Sequence, residues 1–127
     1  MATRSTIWLK SENSYKGIYC HWDGYMSNNG KLLLENYNTL EKVKELISFG
    51  FMSSLDTTIE KCVFYNRDRE EDFNNYEVSS LDDMVEFLEE YNYIFQDNKW
   101  YVLDYSEGSE GSEELIELTQ EYISEND

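Results

Sequence analysis

Apolar and polar positions alternate along the first twenty residues and then change period. Residues 4–10 carry β-favouring Thr6, Ile7 and Trp8 and predict a strand. The polar run Ser11-Glu12-Asn13-Ser14 predicts a turn, and residues 15–22 predict a second strand, closing an N-terminal hairpin that ends at Asp23-Gly24. From there the spacing becomes helical. Ser27 is placed to cap a helix carrying Leu32, Leu33, Leu34 and Tyr37, although Gly30 weakens its first turn. Thr39 is placed to cap a second helix with Leu40, Val43, Leu46 and Ile47 on one stripe, and Gly50 is a natural residue to follow it. Residues 59–65 predict a third strand and residues 66–76 a loop. Ser80-Leu81-Asp82-Asp83 resembles a capping box and opens a helix that turns Leu81, Met84, Val85 and Leu88 inward. Residues 91–95 and 100–105 flank Gln96-Asp97-Asn98-Lys99 and predict a second hairpin. Its tyrosines and Trp100 read as cross-strand core pairs. Behind the linker-like SEGSEGS of residues 106–112, Ser112 is placed to cap a last helix with Leu115, Ile116, Leu118, Thr119, Tyr122 and Ile123 on one side. The order is ββ-αα-β-α-ββ-α. It predicts a single α+β domain over residues 1–127, with an antiparallel sheet, helices packed on one face, and a flexible linker at 106–112 before an acidic C-terminal helix.

Composition narrows the function. The 127 residues are 40% hydrophobic and 16% aromatic, which supports a packed core despite a mean hydropathy of −0.70. The net charge of −17 argues against direct nucleic-acid binding through phosphates and against docking on anionic lipid, and favours basic partners. The charge is unevenly spread: residues 1–50 hold six basic and five acidic side chains, residues 51–127 four and 22. No run of 18 apolar residues suggests a membrane span, and no leader-like apolar stretch opens the chain. With Cys20 and Cys62 far apart, the expectation is a reduced, cytoplasmic protein. The aromatic surplus leaves a homo-oligomer open.

Two clusters are candidates for chemistry. In Tyr19-Cys20-His21-Trp22-Asp23-Gly24-Tyr25, Cys20 and His21 are neighbours on a strand and point to opposite faces, so they form no nucleophile–base pair. His21 and Asp23 share a face as a base and its orienter would, yet no nucleophile accompanies them and a hydrogen-bonded strand end is the favoured explanation. No metal-ligand spacing and no phosphate-loop motif is present, so no metal, cofactor or catalytic residue is assigned. A small-ligand site for a nucleotide signal would use His21, Asp23, Tyr25, Asn28 and Asn29, with the following helix N-terminus taking the anion.

The acidic residues form the other cluster. Glu114, Glu117, Glu121 and Glu125 fall three or four apart, which on a helix lines one face at roughly 4.5–6 Å per step. With Glu107, Glu110 and Glu113, and with Asp82, Glu86, Glu89 and Glu90 on the preceding helix, they could imitate a phosphate backbone before a basic cleft. The alternative is a solvated surface that keeps the chain soluble.

Thr3-Arg4-Ser5-Thr6-Ile7 followed by Ile18-Tyr19-Cys20-His21-Trp22-Asp23-Gly24-Tyr25 resembles a family of small phage and prophage proteins with a TRSTI-like first strand and an HWDGY motif ending the second. The resemblance covers about the first 50 residues. Met26 stands where relatives often have proline. It implies a phage or prophage accessory gene. Small acidic proteins of that setting often inhibit host defence, as anti-CRISPR and anti-restriction proteins do. The expectation is a non-enzymatic anti-defence inhibitor: a nucleic-acid mimic acting by protein–protein interaction on a host protein with a basic nucleic-acid-binding cleft, such as a CRISPR or restriction effector.

Overall fold

The computed structural model describes residues 2–105 and 113–126, with backbone alone for residues 104, 105, 113 and 114. The expected linker at 106–112, with Glu107 and Glu110, lies outside the described residues.

The fold is α+β: among the described residues there are one eight-stranded sheet and five short helices. The strands are β1 (Ser5–Lys10), β2 (Tyr15–Cys20), β3 (Met52–Ser54), β4 (Val63–Phe64), β5 (Tyr76–Val78), β6 (Tyr91–Gln96), β7 (Lys99–Tyr105) and β8 (Glu113–Glu117). The helices are α1 (Lys31–Asn36), α2 (Leu40–Ser48), α3 (Tyr65–Arg69), α4 (Leu81–Met84) and α5 (Gln120–Asn126). The strand order is β4-β3-β2-β1-β6-β7-β8, and β5 pairs with the first half of β2.

Both expected hairpins form. β1 and β2 pair antiparallel from Ser5↔Cys20 to Lys10↔Tyr15, and β6 and β7 join through Asp97-Asn98, both at positive φ (53° and 62°). That two-residue turn matches the strand twist, and Asp and Asn tolerate it best after glycine. The sheet is nevertheless mixed, because β1 runs parallel to β6 and β2 parallel to β3. A parallel pair needs a long crossover, and the residues between β2 and β6 supply it.

Helices cover both faces, not one. Val43, Leu46 and Ile47 of α2, Leu33 of α1 and Ile123 of α5 join the larger core with Ile7, Ile18, Phe95 and Trp100. Met84 of α4 and the 3-10 turn Val85–Phe87 close a second core over Trp8, Ile94 and Leu103. The central strands β1 and β6 are buried on both faces in consequence. Of the aromatic residues of the second hairpin, Tyr93 and Trp100 are core, with Phe95 and Trp100 edge-to-face at 5.2 Å, whereas Tyr91 and Tyr101 are only half-buried.

Three expected elements are corrected. Residues 26–37 form a π-helical turn (Met26–Gly30) before α1, so the N-cap positions fall on Tyr25 and Gly30 rather than on Ser27. The expected strand over 59–65 breaks into a 3-10 turn (Ile59–Lys61), a two-residue β4 and α3, because the Asp68 carboxylate accepts from the Phe64 amide at 2.8 Å and winds the chain. Within 66–76, where the composition predicts a loop, lie most of α3 and the start of β5.

The helix expected from Ser112 is a strand first. β8 pairs antiparallel with β7 from Tyr101↔Glu117 to Tyr105↔Glu113. α5 begins only after Thr119, whose hydroxyl accepts from the Tyr122 amide at 3.0 Å. The caps at Thr39 and Ser80 are present, and Gly50 follows α2 at φ +82°. Among the described residues no helix is long and apolar enough to cross a membrane.

Candidate functional site

The motif after β2 is built largely into the fold. The His21 amide donates to Met52 O at 3.2 Å and the Trp22 amide to Ser53 O at 3.0 Å, tying the motif to β3. Asp23 turns the chain at φ +56°. The Gly24 amide donates to Thr3 O at 2.8 Å, and the Tyr93 hydroxyl donates to Gly24 O at 2.6 Å. A Cβ on Gly24 would lie 2.7 Å from Ser5 Cβ and 2.9 Å from Thr3 O, so glycine is required for the approach.

Asn29 is wholly buried. Its amide nitrogen lies within hydrogen-bond reach of Ser5 Oγ (3.1 Å), Cys20 Sγ (3.4 Å) and Trp22 O (3.3 Å). Asn28 Nδ2 donates to Asp23 O and to Asn29 Oδ1. Both amides are engaged in holding the turn closed. His21 Nδ1 pairs with the Tyr19 hydroxyl at 2.7 Å. Of the five residues considered for a small ligand, Asp23 and Tyr25 face solvent, His21 and Asn28 are half-buried, and Asn29 is an internal strut.

The cysteines offer no nucleophile. Burial pushes the Cys20 thiol up to about 12, and burial also raises that of Cys62. Cys20 sits in the larger core while His21 belongs to the opposite side of β2, as strand alternation requires. Among the described residues no group of three or more His, Cys, Asp or Glu is arranged to hold a metal ion.

The carboxylates divide into three places rather than one row. Asp82, Asp83 and Glu86 are exposed on α4 and the 3-10 turn after it, and the apolar residues of that segment pack into the second core. Glu89 is half-buried and Glu90 exposed. They line a cleft of about 220 Å³ with Met26 and Tyr122, so this end of the acidic layer meets the end of the HWDGY segment and α5. Glu113, Glu114 and Glu117 belong to strand β8, and only Glu121 and Glu125 to α5. The four-residue spacing that would align Glu114, Glu117, Glu121 and Glu125 on one helix is therefore broken at Leu118-Thr119. Glu117 lies 3.7 Å from Lys99 across the ladder.

One cluster escaped the sequence reading. A run of ring contacts leads from buried Trp8 through Tyr76, Phe51, Tyr19 and His21 to exposed Trp22, with centroids 4.6–6.0 Å apart. Arg4 stands close enough to oppose the upward shift of the Tyr19 hydroxyl, and Arg69 lies 5.4 Å from the Tyr65 ring and donates to Ser53 Oγ at 3.4 Å. Burial raises the Tyr19 and Tyr65 hydroxyls above the usual tyrosine range, and the arginines pull the other way. Alternation along residues 15–21 puts Tyr15, Gly17, Tyr19 and His21 on one face and was the available signal.

Comparison with protein-family models, with curated proteins and with solved structures finds no match for this chain.

Proposed function

We propose that the chain is a non-enzymatic binding protein that offers an acidic face to a basic, nucleic-acid-binding surface on another protein. One observation carries the reading. Between Arg69 and Lys99 the sequence has ten acidic and no basic residues, and the α4 segment turns Asp82, Asp83 and Glu86 outward while anchoring itself by Met84, Phe87 and Leu88. Among the described residues only two ion pairs occur, Arg67–Asp68 and Lys99–Glu117, so this carboxylate layer is left uncompensated. Such a layer steers association with a cationic partner and makes it salt-sensitive. The resemblance of residues 3–7 and 18–25 to phage and prophage accessory proteins supplies the setting: inhibition of a host defence effector by occupying its nucleic-acid cleft. The contact centres on Asp82, Glu86, Glu89 and Glu90, joined by Glu121 and Glu125.

The test is capture of the tagged chain from a bacterial lysate at 50 and 500 mM salt, followed by DNA-binding competition with each purified partner. A nucleic-acid-binding effector should be recovered at low salt only, and the chain should displace its DNA. Neutralising Asp82, Glu86 and Glu90 to their amides should weaken that displacement roughly tenfold in total. Full displacement by the neutralised variant would refute the reading.

A second reading, a nucleotide-binding turn, is favoured by Arg4, Tyr19, His21 and exposed Trp22, which set a cation beside stackable rings. A thermal-shift screen with nucleotides addresses it: binding at 100 times the dissociation constant stabilises by about 2.7 kcal/mol.

A further inference from the structure

Away from the acidic layer, a cavity of about 410 Å³ opens between the β1–β2 hairpin, the last turns of α2 and residues 73–75. Its volume is in the range of small-ligand sites. Leu9 and Ile47, both nearly buried, and the Phe73 ring give it an apolar lining, and Lys16 and Lys44 stand on it. The larger cavity at residues 10–15 and 79–82, about 550 Å³, has a polar lining that includes Glu12 and Asp82.

Phe73 is 49% exposed, the most exposed large apolar side chain among the described residues. It is held there by construction. Gly50 sits at φ +82°, and a Cβ on it would come within 2.8 Å of Phe73 Cε2. The Phe51 amide donates to Asn74 O at 2.9 Å and fastens the segment. The half-exposed ring rests against Gly50 and forms one wall of the cavity.

The cations are equally out of place in a chain of charge −17. Glu77 is the cross-strand neighbour of Lys16, and Glu41 and Glu45 flank Lys44 on α2, yet neither lysine belongs to the ion pairs seen among the described residues. A lysine can lay its methylene stem along apolar surface while its ammonium stays in water, which suits both residues to this lining.

We propose that this cavity binds a small anion with an apolar body, such as a medium-chain carboxylate or an aryl acid. The apolar part lies along Leu9, Ile47 and Phe73, and the acid group meets Lys16 and Lys44. The proposal is independent of the acidic-face reading and fails or stands without it.

Fluorescence titration with 8-anilinonaphthalene-1-sulfonate tests it, with its uncharged relative N-phenyl-1-naphthylamine as the second probe and decanoate as competitor. The sulfonate should bind saturably, one per chain, and decanoate should displace it. Lys16→Gln and Lys44→Gln should each weaken the sulfonate by about fivefold and the uncharged probe by less than about twofold. Phe73→Ser should weaken both probes, while Lys31→Gln and Lys61→Gln should change neither. Circular dichroism identifies any variant whose fold is altered. Non-saturable fluorescence, equal losses in the control lysine variants, or full binding by folded Phe73→Ser would each overturn the proposal.

Discussion

Gly17→Ala should unfold the protein at a distinctly lower temperature, although it adds one methyl group to a strand. Gly17 faces Trp8 across the β1–β2 ladder, and a Cβ there would overlap Cε3 and Cδ2 of the indole. The indole has nowhere to go. It is fully buried, stacked on Tyr76 at 5.4 Å, and its Nε1 donates to Thr6 Oγ1 at 2.7 Å. Overpacking of this kind costs about 1–3 kcal/mol. Removing a glycine from a strand returns roughly 0.5–1 kcal/mol. The net is about 1.5 kcal/mol. For 127 residues at about 2.1 cal/mol/K each, the unfolding entropy is about 270 cal/mol/K, so the midpoint should fall by about 6 °C. Thermal melts followed by near-ultraviolet circular dichroism read both the midpoint and the indole packing. In a Trp8→Leu background the same Gly17→Ala change should cost nothing or stabilise, because the obstructing ring is gone. An unchanged midpoint in the single variant, or an equal loss in both backgrounds, would refute this account of the second core.

Two further outcomes follow from buried polar groups. Asn92→Leu should destabilise by about 3 kcal/mol and raise amide exchange over residues 88–91. Asn92 Oδ1 accepts from Thr6 Oγ1 and the Glu89 amide, its Nδ2 donates to Glu89 O, and the leucine would leave these groups unpaired. Cys20 should make the alkaline limb of stability steep. Its folded thiol titrates at about 12 against 9.0 unfolded, so its contribution is complete below pH 9 and is lost between pH 9 and 12, at about 1.4 kcal/mol per pH unit. Cys20→Ala should flatten that limb in urea titrations at rising pH.

The elements that were legible in the sequence are those whose signals are local. Thr39 and Ser80 cap the helices they were expected to cap, and Asp97-Asn98 closes the second hairpin. What was not legible depends on partners far along the chain. The parallel pairing of β1 with β6 brings together residues some 86 positions apart and leaves no local trace. β8 misleads for a different reason. Leu115 packs on the second core and Ile116 on the first, so the strand is apolar on both faces at adjacent positions and shows no alternation. Followed by Leu118, Tyr122 and Ile123, that pair imitates a helical stripe. The candidate site inherited the error: a glutamate spacing read on a helix has no meaning across a strand, a break and a new helix.

In a chain this acidic the placement of the few cations is the sharper guide to function. Exposed carboxylates serve solubility throughout the chain, so a cluster of cations among 27 acidic side chains stands out more sharply than any single carboxylate. Several cations have a role in the fold. Arg67 donates to Ile59 O and Cys62 O and lies over the Phe64 ring at 4.8 Å, clamping the turn before β4, and Lys99 meets Glu117. Arg69 lies over the Tyr65 ring, and Arg4 acts on the Tyr19 hydroxyl beside the HWDGY motif. Of the six other lysines, Lys16 and Lys44 stand together at the cavity that Phe73 walls. The two ends of the charge scale therefore make separable demands. Neutralising the α4 carboxylates should slow association with a basic partner and flatten its salt dependence, leaving the sulfonate probe unaffected. Neutralising Lys16 or Lys44 should do the reverse. A variant that moved both readouts together would mean that net charge alone, rather than either site, governs what this protein binds.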